Sequence, residues 1–224
     1  HGAHVVLAVR NVEAGRAVAA TIDGDTSVAQ LDLASQESVR RFAETVEAPV
    51  DLLLNNAGVM APPKYRTTVD GHELQFGTNH LGHFTLTALL LPVLLAAPAP
   101  RVTTVSSIAH HNGSDRVVEA NPTAGYTPNT SYGQSKLANL LFALELHRLA
   151  SAAGSTLTST AAHPGVAVTN LVSSPDGMGA NRFVRTLAPA LMRFVLPGAE
   201  GGAEAILYAA TEAEPGSYSG PQGF

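Results

Sequence analysis

Short apolar runs, each closed by polar or turn-forming residues, recur along this chain with helix-like stretches between them. Val5-Val6-Leu7-Ala8-Val9 stops at Arg10 and Asn11, residues 28–33 form a second run, and residues 50–54 run into Asn55-Asn56-Ala57-Gly58. Residues 101–105 end at Ser106 and Ser107, and residues 157–162 end at His163-Pro164-Gly165. Runs so short and so apolar read as strands covered on both faces. Residues 12–22 and 38–46 carry apolar side chains at helical spacing, with Ser35 placed to cap the second stretch. Residues 69–97, interrupted by Pro92, and residues 131–152 read as long helices. Strands alternating with helices require right-handed crossovers, so the predicted fold is α/β, a doubly wound parallel sheet of the Rossmann type. Ligands bind such sheets beyond the carboxyl ends of the strands, where the polar clusters fall.

Composition narrows the function. A chain of 224 residues suits one domain, read as residues 1–224, and 45% hydrophobic against 14% charged residues excludes disorder as its main state. A net charge of −5 offers no positive field to a phosphate backbone, which argues against nucleic acid as a partner. The chain has no cysteine, hence no disulfide, thiolate nucleophile or thiolate-bound zinc, and a cytoplasmic location is expected. Residues 86–99 are almost wholly apolar but fall short of the ~18 to 20 needed to span a bilayer. That stretch reads as a buried helix, with membrane association and a homo-oligomer left open. Among nine histidines His80 and His83 are three apart on a helix and His110 and His111 are adjacent, but without His-Glu-x-x-His no metal is expected. No Gly-x-Ser-x-Gly elbow is present either, which argues against a serine hydrolase.

Tyr132-Gly133-Gln134-Ser135-Lys136 places a phenol and an ammonium four residues apart, on one face of a helix. An ammonium so close favours phenolate and is expected to lower the Tyr132 pKa from ~10 toward the working pH. Alone the pair is weak, because any amphipathic helix can carry one. It has company, in order: Asn55-Asn56-Ala57-Gly58, then Asn79-His80-Leu81-Gly82-His83-Phe84, Ser106-Ser107, the Tyr132/Lys136 pair, and Pro164-Gly165. Over nearly its whole length the chain resembles the short-chain dehydrogenase/reductase family, and the segments around Asn79 and Tyr132-to-Asn139 are similar to its retinol-dehydrogenase-like branch.

The resemblance implies a division of labour. Tyr132 is the general acid/base that gives a carbonyl its proton, Lys136 lowers the tyrosine pKa and bonds the nicotinamide ribose, Ser107 holds the substrate oxygen, and Asn79 completes the tetrad through an ordered water. Ser107 is preferred to Ser106 because it stands 25 residues before the tyrosine, as in that branch, with Ser106 as the fallback. Cofactor contacts fall on Arg10, Asp32, Leu33, Asn56, Ala57, Gly58, Tyr132, Lys136, Pro164, Gly165 and Thr169. An acid at the end of the strand that carries Arg10 would accept from the ribose of NAD; an Arg there suits a 2′-phosphate, so NADP is expected over NAD. The chemistry is coherent by itself. Hydride addition to a carbonyl puts negative charge on oxygen, which wants a hydroxyl to orient it and a phenol to protonate it. The hydride must come from a cofactor, since no side chain carries one.

One expected part has no counterpart here: a first strand followed by a Gly-rich turn that holds pyrophosphate. The chain opens on His1 and enters a strand within a few residues, so it is read as part of a longer chain with that strand upstream. Loss of a central strand should leave a slot in the sheet with unpaired backbone on both sides. Residues 168–197, apolar and following Pro164-Gly165, are expected to form a lid over a small apolar carbonyl or alcohol substrate. The competing reading is a catalytically silent dinucleotide-fold module for binding or regulation, which predicts a damaged tetrad. A nucleotide-sugar epimerase shares Tyr-x-x-x-Lys but needs a larger substrate domain than the 88 residues after Lys136.

Overall fold

The alternation of strands and helices is realised in the computed structural model, which describes residues 2–119, 125–165 and 199–221. Strand β1 (Val5–Val9) leads through α1 (Val12–Ala19) to β2 (Thr26–Gln30), which pairs with it in parallel with Leu7 opposite Val28. Helix α2 (Gln36–Glu44) leads to β3 (Leu52–Asn55). A helical segment follows, made of α3 (Leu74–Phe76), a π-helical turn (Gly77–Leu81) and α4 (Gly82–Leu95), before β4 (Arg101–Val105). Helix α5 (Pro128–Ala152), β5 (Thr158–Ala162), α6 (Ala199–Thr211) and β6 (Tyr218–Ser219) complete the described elements. Strands β3, β4, β5 and β6 form a parallel sheet in that order.

The two sheets share one core. Leu31, Leu33, Val39 and Phe42 from the β2–α2 side pack with Leu86, Leu90, Leu94 and Val102 from the α4–β4 side. Yet among the described residues no ladder joins β1 to β3. Their apolar side chains stay open to solvent: Val5 and Val6 are 44% and 48% exposed, Leu52 and Leu54 38% and 40%. The expected slot is therefore present, between the inner edges of the two sheets. No helix among the described residues is long and apolar enough to cross a membrane.

Two predicted boundaries need correction. The second strand ends at Gln30 rather than residue 33, because Asp32 starts a turn: its Oδ1 accepts from the Ala34 N–H at 2.9 Å and its carbonyl from the Ser35 N–H. Ser35 then caps α2 as expected, accepting from the Ser38 N–H. The helix read over residues 69–97 starts only at Leu74. Residues 68–72 close a tight turn through the Thr68 N–H to His72 carbonyl bond, with Gly71 at φ 85°. The Glu73 carboxylate then caps the helix by accepting from the Phe76 N–H at 2.8 Å. Pro92 stays inside α4. Helix α5 starts earlier than residue 131, with Pro128 at its first position, where a missing N–H costs nothing.

Candidate active site

Strand β4 delivers two serines that point different ways. Ser106 is buried, and its Oγ donates to the Lys136 carbonyl of α5 at 2.8 Å. Ser107 is half-buried, caps the following turn by accepting from the Ala109 N–H, and hydrogen-bonds through its hydroxyl with the Tyr132 phenol. Alternation along the chain sends the first hydroxyl into the packing and leaves the second at the phenol. Helix α5 is tied to the end of β4 by two further bonds, since Lys136 Nζ at 2.9 Å and Asn139 Nδ2 at 3.2 Å both donate to the Val105 carbonyl. Gly133 lets the helix close on the turn after Ser107: a Cβ there would stand 2.7 Å from the Ala109 carbonyl oxygen.

Tyr132 and Lys136 are neighbours on one helix face, with Nζ 5.8 Å from the phenol ring centroid. Their electrostatics differ from expectation. Burial raises the Tyr132 pKa, the Ser107 hydrogen bond lowers it in part, and the nearby Tyr218 raises it again. Burial also pushes the Lys136 ammonium down to about 8. The ammonium thus does not bring the phenol below its ordinary range here; both charged forms are disfavoured by the same apolar surroundings.

The Asn79 side chain is bonded within the protein. Its Nδ2 donates to the Val59 carbonyl and to Ser135 Oγ, both at 2.9 Å, and its Oδ1 accepts from the Val59 N–H at 2.7 Å. Ser135 Oγ in turn donates to the Tyr132 carbonyl at 2.8 Å. Asn79, fully buried in the π-helical turn, therefore links the loop after β3 to the helix that carries the tyrosine. Gly58 lies against the same junction, where a Cβ would come within 3.1 Å of Asn79 Oδ1 and 3.7 Å of Lys136 Nζ.

Apart from Tyr132 and Lys136 on α5, the described residues read as cofactor contacts lie beyond the carboxyl ends of four strands. Arg10 follows β1 and is exposed; Asn56 and Ala57 follow β3 and are exposed; Pro164 and Gly165 follow β5. Asp32 after β2 is half-buried, with one carboxylate oxygen accepting from the Ala34 N–H. Leu33 beside it packs into the hydrophobic core. Thr169 and the lid read over 168–197 lie outside the described residues.

The histidines of the Asn79 segment have other tasks. His80 shares a bond of 3.2 Å with Asn139 and packs its ring against Phe76 and Phe84. His83 Nδ1–H donates to the Asn79 carbonyl at 2.8 Å, and burial lowers its pKa to about 4, with the Lys136 and His80 charges acting in the same direction. An unfolded His83 would titrate near 6.5. Between pH 6.5 and 4 the unfolded chain therefore holds a proton that the native chain does not, and stability falls with pH by about 3 kcal/mol from this group. Urea unfolding at pH 7 and 4.5 is expected to show a smaller difference in His83→Gln than in the wild type, by about 2 to 3 kcal/mol. Equal differences would mean that the ring titrates freely.

Sequence reasoning missed Tyr218. From the two-residue strand β6 its hydroxyl bonds Ser106 and lies 3.4 Å from His110 Nδ1, while its ring sits 5.4 Å from His110 and 5.3 Å from His163. A strand that short leaves no periodic signal in a sequence.

The family model for short chain dehydrogenase matches residues 1–176. Human retinol dehydrogenase 13 is 40% identical over 98% of this chain and 68% of its own length. Mouse polyprenol dehydrogenase is 44% identical over 82% of this chain and 55% of its own. The chain thus spans about half to two thirds of the length of the curated relatives it matches. An uncharacterized protein from Mycobacterium paratuberculosis, 44% identical, superposes with a TM-score of 0.76 over 96% of this chain and 70% of that one. A serine dehydrogenase complexed with NADP+, 19% identical, has the same fold, with a TM-score of 0.74 over 100% of this chain and 88% of that one.

Proposed function

The chain belongs to the short-chain dehydrogenase family, and from that premise we propose an oxidoreductase that moves a hydride between NADP(H) and a hydrophobic aldehyde, ketone or alcohol. The observation that carries this reading is the Ser107 hydroxyl bonded to the buried Tyr132 phenol, with Lys136 Nζ beside the ring at 5.8 Å. A substrate oxygen placed at that bond meets two hydroxyl groups: Ser107 orients it, and Tyr132 donates the proton. Burial keeps the phenol protonated at neutral pH, the state that carbonyl reduction needs. Retinol and polyprenol dehydrogenases among the relatives support an apolar substrate.

The nicotinamide supplies the hydride when bound. The residues present fit its ribose end: Lys136, one helical turn from Tyr132, stands beside the Gly58 turn, which is pared back to hydrogen where a side chain would press on Asn79. At the other end Arg10 offers a guanidinium to a 2′-phosphate. Direct binding and steady-state assays of the full chain with NADPH and NADH, using an apolar aldehyde, test the reading. A charge-assisted contact is worth roughly 1.5 to 3 kcal/mol, so Arg10→Ala is expected to weaken NADP by about 10 to 150-fold and to leave NAD nearly unchanged. Equal losses would remove the case for NADP. Nucleotide binding without turnover of any aldehyde or alcohol would favour the silent binding module.

A further inference from the structure

Gln75 is fully buried, at 0% exposure, three residues into the segment that begins with the Glu73 cap. A buried amide is tolerated only when its polar atoms are matched, and the partners of this one lie on two segments, the loop after β3 and the start of the helix that carries Tyr132. Its Oε1 accepts from the Ala61 N–H at 2.7 Å. Its Nε2 donates to the Pro128 carbonyl at 3.1 Å and toward the Tyr126 hydroxyl at 3.3 Å. Pro128 opens the helix that carries Tyr132 one turn later. Ala61 belongs to the loop that starts at Gly58, beside Lys136 and Asn79.

Ala61 has φ 48°, the only non-glycine residue with positive φ among the described residues. A residue with a Cβ holds that left-handed conformation only where its surroundings impose it. The imposing contacts are the Gln75 bond to the Ala61 N–H and the Tyr126 hydroxyl, which donates to the next carbonyl, that of Pro62, at 2.8 Å. The same segment holds this loop a second time, four residues on, where Asn79 grips both the N–H and the carbonyl of Val59. Val59 is thereby fixed against the helix that carries the tyrosine, and Ala61 against the start of that helix.

We propose that Gln75 is a positioning residue that sets the specificity of the reaction: it fixes the spacing between the loop at Ala61–Pro62 and the start of α5, and so the size of carbonyl compound that reaches the Tyr132 hydroxyl. This rests on the reductase reading above. Gln75 touches no reacting atom and acts through the loop. A merely structural amide would lower stability on removal and leave the preference between substrates alone. A positioning amide changes the KM for large substrates relative to small ones.

The test uses the full chain and two variants. Gln75→Met keeps length and loses every polar contact. Tyr126→Phe keeps the ring and its edge contact with Tyr65, at 5.6 Å between centroids, and loses only the hydroxyl bonds. For each protein kcat and KM are measured with a long-chain apolar aldehyde and a short-chain aldehyde, together with NADP affinity and Tm. Gln75→Met is expected to raise KM for the long aldehyde by about tenfold and for the short one by less than about threefold, with NADP affinity within about twofold of wild type. Tyr126→Phe is expected to move the ratio in the same direction by about threefold. Wild-type turnover with the ratio unchanged in Tyr126→Phe and in any Gln75→Met that folds overturns this inference alone, whatever happens to Tm. Wild type that binds NADP but reduces neither aldehyde overturns the reductase reading and this inference with it.

Discussion

Tyr132→Phe is expected to lower kcat for carbonyl reduction by about 10² to 10⁴-fold, the usual worth of a positioned general acid, with little change in fold or in nucleotide affinity. The ring remains, so the packing of α5 against the turn after Ser107 remains with it. What goes is the proton, and with it the Ser107 hydrogen bond that relieves part of the burial cost on the phenol. Retention of more than about a tenth of wild-type reduction at saturating cofactor would show that another group donates. The raised pKa gives the pH dependence its sign. Reduction uses the protonated phenol, which burial preserves through neutral pH. Oxidation of an alcohol needs the phenolate, so that direction is expected to gain steadily as pH rises into the alkaline range while Tyr132→Phe stays flat.

The order of elements was legible because each strand is a bare apolar run that ends at a turn-forming cluster. Arg101–Val105 matches its predicted span, and Ser35 caps α2 where a Ser ahead of an amphipathic stretch should. Boundaries failed where local turn chemistry overrode periodicity: the Asp32 turn ended β2 three residues before its apolar pattern ran out, and Gly71 broke a stretch read as helix. The same limit applied at the site. Ser106 and Ser107 are adjacent and chemically alike, and only their opposite side-chain directions separate the one bonded to a helix carbonyl from the one bonded to the phenol. Asn79 stood out in sequence as a chemical residue, but its bonds to Val59 and Ser135 carried no signal there. Gln75 and Tyr218 carried no signal, because their partners lie 51 and 108 residues away in the chain and become neighbours only through the sheet order.

Lys136 is where function and stability pull apart. Its ammonium is buried at the end of β4 with a single hydrogen bond, to the Val105 carbonyl, and burial pushes its pKa from 10.5 to about 8. The unfolded chain keeps the proton up to 10.5 while the native chain releases it near 8, so below pH 8 the folded state carries a penalty on the order of 3 kcal/mol, relieved between pH 8 and 10.5. Lys136→Met retains the apolar stem and removes the charge. The Val105 carbonyl is not orphaned, because Asn139 Nδ2 still donates to it at 3.2 Å. The variant is therefore expected to be more stable than wild type at pH 7 by about 1 to 3 kcal/mol, raising Tm by roughly 3 to 10 °C, with the gain shrinking toward zero as pH approaches 10. Activity should move the opposite way and fall by about 10²-fold or more, since the cation beside the phenol is gone. Thermal unfolding of both proteins at pH 7 and 10, run beside the reductase assay, decides the matter. A Met variant less stable than wild type at pH 7 would mean that the ammonium is held by more than the Val105 carbonyl. A gain in stability together with lost turnover would mark Lys136 as a residue kept for chemistry at the expense of the fold.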